Sequence, residues 1–104
     1  MFIKIMKDIK SYILESTQDE ELYEEVGLAL KKFGNIRNGF KAAKKQDIID
    51  AMYKIGFDYD EENSTESELV FTGEYIDDQY EVDLYIDKDN GEYITLKNFN
   101  VFMS

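Results

Sequence analysis

Along Tyr80-Glu81-Val82-Asp83-Leu84-Tyr85-Ile86-Asp87, apolar and acidic residues alternate almost without a break. That is the period of a strand with one face buried. Alternating runs flank it on both sides, so residues 68–99 read as a three-stranded antiparallel meander with this run at its centre. Taking Asp77-Asp78 as a two-residue hairpin loop sets Tyr75 opposite Tyr80, Gly73 opposite Val82, Phe71 opposite Leu84 and Leu69 opposite Ile86. For the second turn, a two-residue Asn90-Gly91 loop would put Ile94 and Leu96 on the wrong face. A three-residue Asp89-Asn90-Gly91 loop sets Ile86 opposite Ile94 and Leu84 opposite Leu96, with Gly91 in the left-handed position.

The same registers define a second face. It carries Glu68, Val70, Thr72, Glu74, Glu81, Asp83, Tyr85 and Asp87, extended by Tyr93, Thr95, Lys97 and Phe99 of the third strand. Glu74 then lies opposite Glu81 and Glu68 opposite Asp87, and like charges across a ladder destabilise by roughly 0.2–1 kcal/mol a pair. Such a face is either a solvated, solubilising surface or one that is used.

Upstream the period changes to that of helices. Phe2, Ile5, Met6, Ile9, Tyr12 and Ile13 fall on one face of a helix from about Phe2 to Glu15. Thr17-Gln18-Asp19-Glu20 reads as a capping box opening a second helix to about Phe33, with Leu22, Val26, Ala29, Leu30 and Phe33 buried and Gly34 as its end. Asn35 to Gly39 is a turn by composition. Phe40 to Ile55 is a third helical region, open to a break near Lys44, with Ile48, Ala51, Met52 and Ile55 inward and Gly56 as its stop. The polar residues from Phe57 to Ser67 read as a mobile acidic loop. The expected fold is α+β: three N-terminal helices packed on one face of a C-terminal three-stranded antiparallel meander. It forms a single domain over 1–104, helical over 1–56, with the loop at 57–67 and the sheet at 68–103. Whether Phe99, Val101 and Phe102 finish the core or form an exposed apolar contact stays open at this level.

Composition narrows the function. The 104 residues contain neither Cys nor His, which removes disulfides, thiolate and imidazole metal sites and the commonest acid–base group. There is no Gly-rich phosphate loop, G-x-S-x-G elbow or H-E-x-x-H helix, and with twenty-three acids no carboxylate pair stands out as catalytic. The residues around Gly91 miss the spacing of a calcium loop, and Asp58, Asp60, Glu61 and Glu62 read as solvated carboxylates rather than a metal site. The expectation is a protein that is not an enzyme and uses no cofactor or metal. No apolar run is long enough to span a bilayer, and Lys7, Asp8 and Lys10 interrupt any signal-like segment, so a cytoplasmic location is expected.

The net charge is −11 and unevenly spread. Lys31, Lys32, Arg37, Lys41, Lys44 and Lys45 form a basic cluster with no acid between Lys31 and Lys45, whereas from Asp58 onward fourteen acids face Lys88 and Lys97 alone. The expected partner-binding surface is Glu68, Glu74, Asp77, Asp78, Glu81, Asp83, Tyr85, Asp87 and Tyr93. Carboxylates on a rigid sheet can occupy lysine and arginine sites that otherwise hold phosphates, and tyrosine adds contact area at low entropic cost. In size, charge and tyrosine-studded strands the chain is similar to small acidic inhibitors of phages and mobile elements, among them DNA-mimicking anti-CRISPR and antirestriction proteins. No family motif accompanies the similarity, so it transfers no functional residue. The leading expectation is a non-enzymatic inhibitor that blocks a basic, nucleic-acid-handling partner. The alternative is an immunity protein or antitoxin, and the third reading is a nucleic-acid-binding regulator using the basic cluster, with a helix–turn–helix around Gly34 to Gly39. Against the third stands the long-range repulsion of a polyanion.

Overall fold

The computed structural model describes residues 18–104. The stripe expected over 2–15 and the Thr17 cap lie outside these residues. Helix α1 covers 18–29 and is followed by a 3-10 turn, Lys31–Phe33. Strands β1 (Gly34–Asn35) and β2 (Gly39–Phe40) form a small hairpin, and β3 (Ala43–Lys44) leads into α2 (Lys45–Lys54). Then come β4 (Phe57–Tyr59), β5 (Glu68–Tyr75), β6 (Asp78–Asp89) and β7 (Tyr93–Met103). The main sheet is curled, five-stranded and antiparallel, in the order β3-β7-β6-β5-β4.

This corrects the expected architecture of three helices on a three-stranded meander. Among the described residues there are two helices, and two short strands extend the meander on both sides. The expected third helix loses its first turns because Ala43 and Lys44 pair with Ile94 and Tyr93 at the edge of β7. The expected mobile loop begins instead with β4, where Phe57 is fully buried and pairs with Gly73. Its remainder is tied down: Asn63 donates to both Asp60 carboxylate oxygens, Ser64 Oγ donates to the Asp60 carbonyl, and Val70 N–H donates to Ser64 Oγ at 2.8 Å.

The helix faces come out as their spacing predicts. Leu22 and Val26 of α1, Leu30 directly after it, and Ile48, Ala51 and Met52 of α2 are buried against Leu69, Phe71, Val82, Leu84, Ile86, Ile94 and Leu96 of the sheet, while Ala29 and Ile55 are half-buried. Gly34 ends the first helical segment at φ 128°, ψ −159°, a region open to glycine. A Cβ there would also lie 2.3 Å from the Gly39 carbonyl oxygen, so the β1–β2 hairpin needs this glycine twice over.

Both hairpin registers differ from expectation. The β5–β6 loop is Ile76-Asp77, one position earlier than Asp77-Asp78, and it sets Tyr75 opposite Asp78, Gly73 opposite Tyr80, Phe71 opposite Val82 and Leu69 opposite Leu84. Moving a loop by one residue moves the pairing by two, so every side chain keeps its face. Gly73 lies opposite the fully buried Tyr80, and its missing side chain leaves room for the close passage of Gly56 and Phe57, whose backbone oxygen and ring a Cβ would meet. The cost is at Ile76 and Asp77, both at positive φ (48° and 68°). The β6–β7 loop has the expected three residues but is Asn90–Glu92, with Gly91 at φ 98° and Tyr93 N–H donating to Asn90 Oδ1. Ile86 pairs with Leu96, Leu84 with Phe99 and Val82 with Val101. The pairing is irregular on both sides of Ile86, where Lys97 is the extra residue in β7 and Asp87 the extra residue in β6. Phe99 is thereby turned into the core, 5% exposed, against its expected place on the outer face.

Candidate functional site

On the outer face, β5, β6 and β7 set side chains in rows. Glu68, Tyr85 and Asn98 form one row, Val70, Asp83 and Asn100 the next, and Thr72, Glu81 and Phe102 the third, with Asp58 of β4 beside Thr72. Adjacent rows are about 6.7 Å apart, two residues along an extended chain. Asp83 lies at the centre, flanked by neighbours on both sides and along its own strand. It is 8% exposed, and its Oδ1 has no hydrogen-bond partner. Burial pushes the Asp83 carboxyl up to about 7, helped by a hydrogen bond to Glu81 and by the negative charges of Glu81 and Glu68. The Tyr85 hydroxyl is raised as well, first by burial and then by Asp83, Glu68 and Glu81. No lysine or arginine stands in these rows.

The other expected site residues are dispersed. Glu74 is exposed at the strand end and accepts a hydrogen bond from Gln79 Nε2 at 3.1 Å. Asp77 sits in the hairpin turn and Asp87 in the β6 bulge, both exposed. Asp78 faces the helix side, where Gln18 Nε2 donates to it at 2.8 Å. Tyr93 pairs with Lys44 at the opposite edge of the sheet, so it belongs with the lysines and not with the acids.

The basic cluster forms its own surface. Lys32, Lys41 and Lys44 line a shallow groove of about 450 Å³ together with Phe33, Tyr93 and the acid Asp47, while Arg37 is carried by the β1–β2 turn. Lys31 and Lys32 belong to the 3-10 turn, and Lys45 opens α2 with its ammonium 5.3 Å from the Tyr59 ring centre. One ion pair is present among the described residues, Lys44 with Glu92 at 4.0 Å, so the cluster is not neutralised by the acids of the sheet. A helix–turn–helix around Gly34 to Gly39 is not formed, since these residues make a β-hairpin. No group of three or more carboxylates among the described residues is arranged to hold a metal ion.

A structural cluster that spacing alone did not reveal joins α1 to the β5–β6 hairpin. The buried Tyr80 hydroxyl donates to Asp19 Oδ1 at 2.5 Å and accepts from Gln18 Nε2 at 3.2 Å. Burial and the Asp19 bond push Tyr80 up to about 12. Asp19 thus serves the fold through a contact sixty-one residues away in the chain. Comparison with protein-family models, curated proteins and solved structures finds no match to this chain.

Proposed function

We propose that the chain is a non-enzymatic binding protein whose outer sheet face docks onto a basic surface of a nucleic-acid-handling protein and blocks it. The observation that carries this reading is Asp83. A buried carboxyl with an unpartnered oxygen, set between Glu81 and Glu68 with no cation in the rows, destabilises the isolated fold. An arginine or lysine from a partner would supply the missing donor and neutralise the cluster, while Tyr85 and Phe102 provide apolar contact beside it. An immunity protein would use the same face in the same way, and the partner's activity distinguishes the two.

The test is capture of partners from a lysate of the producing cell by the tagged chain, beside a Glu68→Lys/Glu81→Lys variant, at low and high salt. The reading expects a basic protein retained by the unaltered chain, lost with the variant, released by salt, and inhibited in its nucleic-acid activity when the purified chain is added back. Recovery of nucleic acid equally by both proteins would sink it and move the function to Lys32, Lys41 and Lys44.

A further inference from the structure

The surroundings of Asp83 restrict what can meet the outer face. Its carboxyl is hydrogen-bonded to Glu81, the next residue along the strand on the same face, and its Oδ1 is without a partner. Asn100, opposite it on β7, does not supply the missing donor: the Asn100 side-chain oxygen accepts from Val101 N–H at 3.1 Å, and its amide leaves Asp83 Oδ1 unbonded. The ion pair among the described residues, Lys44 with Glu92, lies elsewhere. Of the side chains around Asp83, Val70 is buried, but Glu68, Glu81 and Tyr85 are half-buried and Asn100 is exposed. A donor from outside therefore reaches the carboxylate by turning Glu81 away from its bond with Asp83.

We infer that this face takes one arginine side chain of the partner, whose guanidinium enters between Glu81 and Asp83 and bonds to both carboxylates at once. The inference rests on the reading of the face as a docking surface and adds the chemistry of its anchor. Opening the Glu81–Asp83 bond leaves two carboxylates that each need donors, on side chains about 6.7 Å apart along the strand. A guanidinium presents N–H pairs on two edges of one plane and holds a carboxylate on each, roughly 7 Å from one another. A lysine ammonium has its three donors on a single nitrogen and cannot fork to both. The guanidinium is also the more weakly hydrated cation and stacks on rings, and Tyr85 follows Asp83 on this face while Phe102, 42% exposed, stands opposite Glu81. Asp83 must enter the bond as the carboxylate. The charged groups facing it are Glu81 on its own strand and Glu68 of β5, with Asp58 of β4 beyond Thr72 and no charged residue of β7 in the rows. Since these acids and burial hold its proton up to about 7, arginine binding releases that proton, and affinity rises with pH and levels off above this value.

The test is an NMR titration of the isotope-labelled chain with three capped, glycine-flanked peptides, carrying arginine, lysine or the uncharged arginine analogue citrulline, at pH 6 and pH 8. The arginine peptide is expected to shift the backbone amides from Glu81 to Tyr85, to bind at least about tenfold more tightly than the lysine peptide, and to bind better at the higher pH. The citrulline peptide is expected not to bind. Asp83→Asn keeps the shape of the side chain and should lose both the preference for arginine and the rise with pH. Equal binding of the arginine and lysine peptides, no response at Glu81 to Tyr85, or an Asp83→Asn variant that keeps the preference would overturn the inference. Capture of a basic partner lost with Glu68→Lys/Glu81→Lys, beside peptides that bind equally, removes the arginine anchor and leaves acidic docking standing. Absence of any such capture fails the docking reading itself.

Discussion

Asp83 occupies a place that alternation alone would assign to solvent. The residue type and the face follow from period two, but its burial follows from Val70 and Asn100 on either side and Tyr85 and Glu81 along the strand. The consequence for stability has a definite sign. Below the unfolded value of 3.8 both states hold the proton; as pH rises toward about 7 the unfolded chain releases it while the folded chain retains it, so the fold loses stability across that window and no further above it. Asp83→Asn keeps the shape and removes the titration. It is expected to raise stability at pH 8 by on the order of 1–3 kcal/mol and to change little at pH 4, measured by urea unfolding at the two pH values. An equal effect at both would show that charge is not the cause. Under the proposed function the same substitution weakens binding of a basic partner, because it removes a negative charge that an arginine or lysine of that partner would neutralise.

At the scale of elements, the faces of β5, β6 and α2 could be read directly, and the registers could not. Shifting the β5–β6 loop by one residue leaves all inward positions inward, so the hydrophobic pattern has no power to choose between the two pairings. Turn preference argued for Asp77-Asp78 over a β-branched residue at positive φ. Tertiary packing overrode it: in the observed register Tyr80 lies opposite Gly73 and bonds to Asp19 and Gln18 of α1. The strain remains at Ile76, which is exposed and makes no compensating core contact. Ile76→Asn is therefore expected to stabilise by about 1 kcal/mol, since Asn tolerates this conformation, as seen in the midpoint of thermal unfolding. A loss of stability would mean that the turn is not strained. Strands β3 and β4 have no signature of their own because two or three residues cannot establish a period; their neighbours β7 and β5 define them.

For the molecule as a whole, repulsion among like charges dominates. Lys44–Glu92 is the one ion pair among the described residues, long and exposed at both ends, and it contributes little. Screening should therefore stabilise the fold. Raising sodium chloride to about 0.5 M is expected to raise the thermal midpoint, each 1 kcal/mol of relieved repulsion moving it by about 4–8 °C in a domain of this size. A fall would show that attractive pairs outweigh the excess of acids. No helix among the described residues is long and apolar enough to cross a membrane. Composition and alternation by themselves determined a strongly acidic chain, a central strand with one apolar and one acidic face, and the inward faces of two helices, because each depends on spacing along a single element. The number of strands, both registers, the inward turn of Phe99 and the orphaned carboxyl of Asp83 were decided only by tertiary structure. These depend on which distant residues compete for the same space, and that competition has no local period.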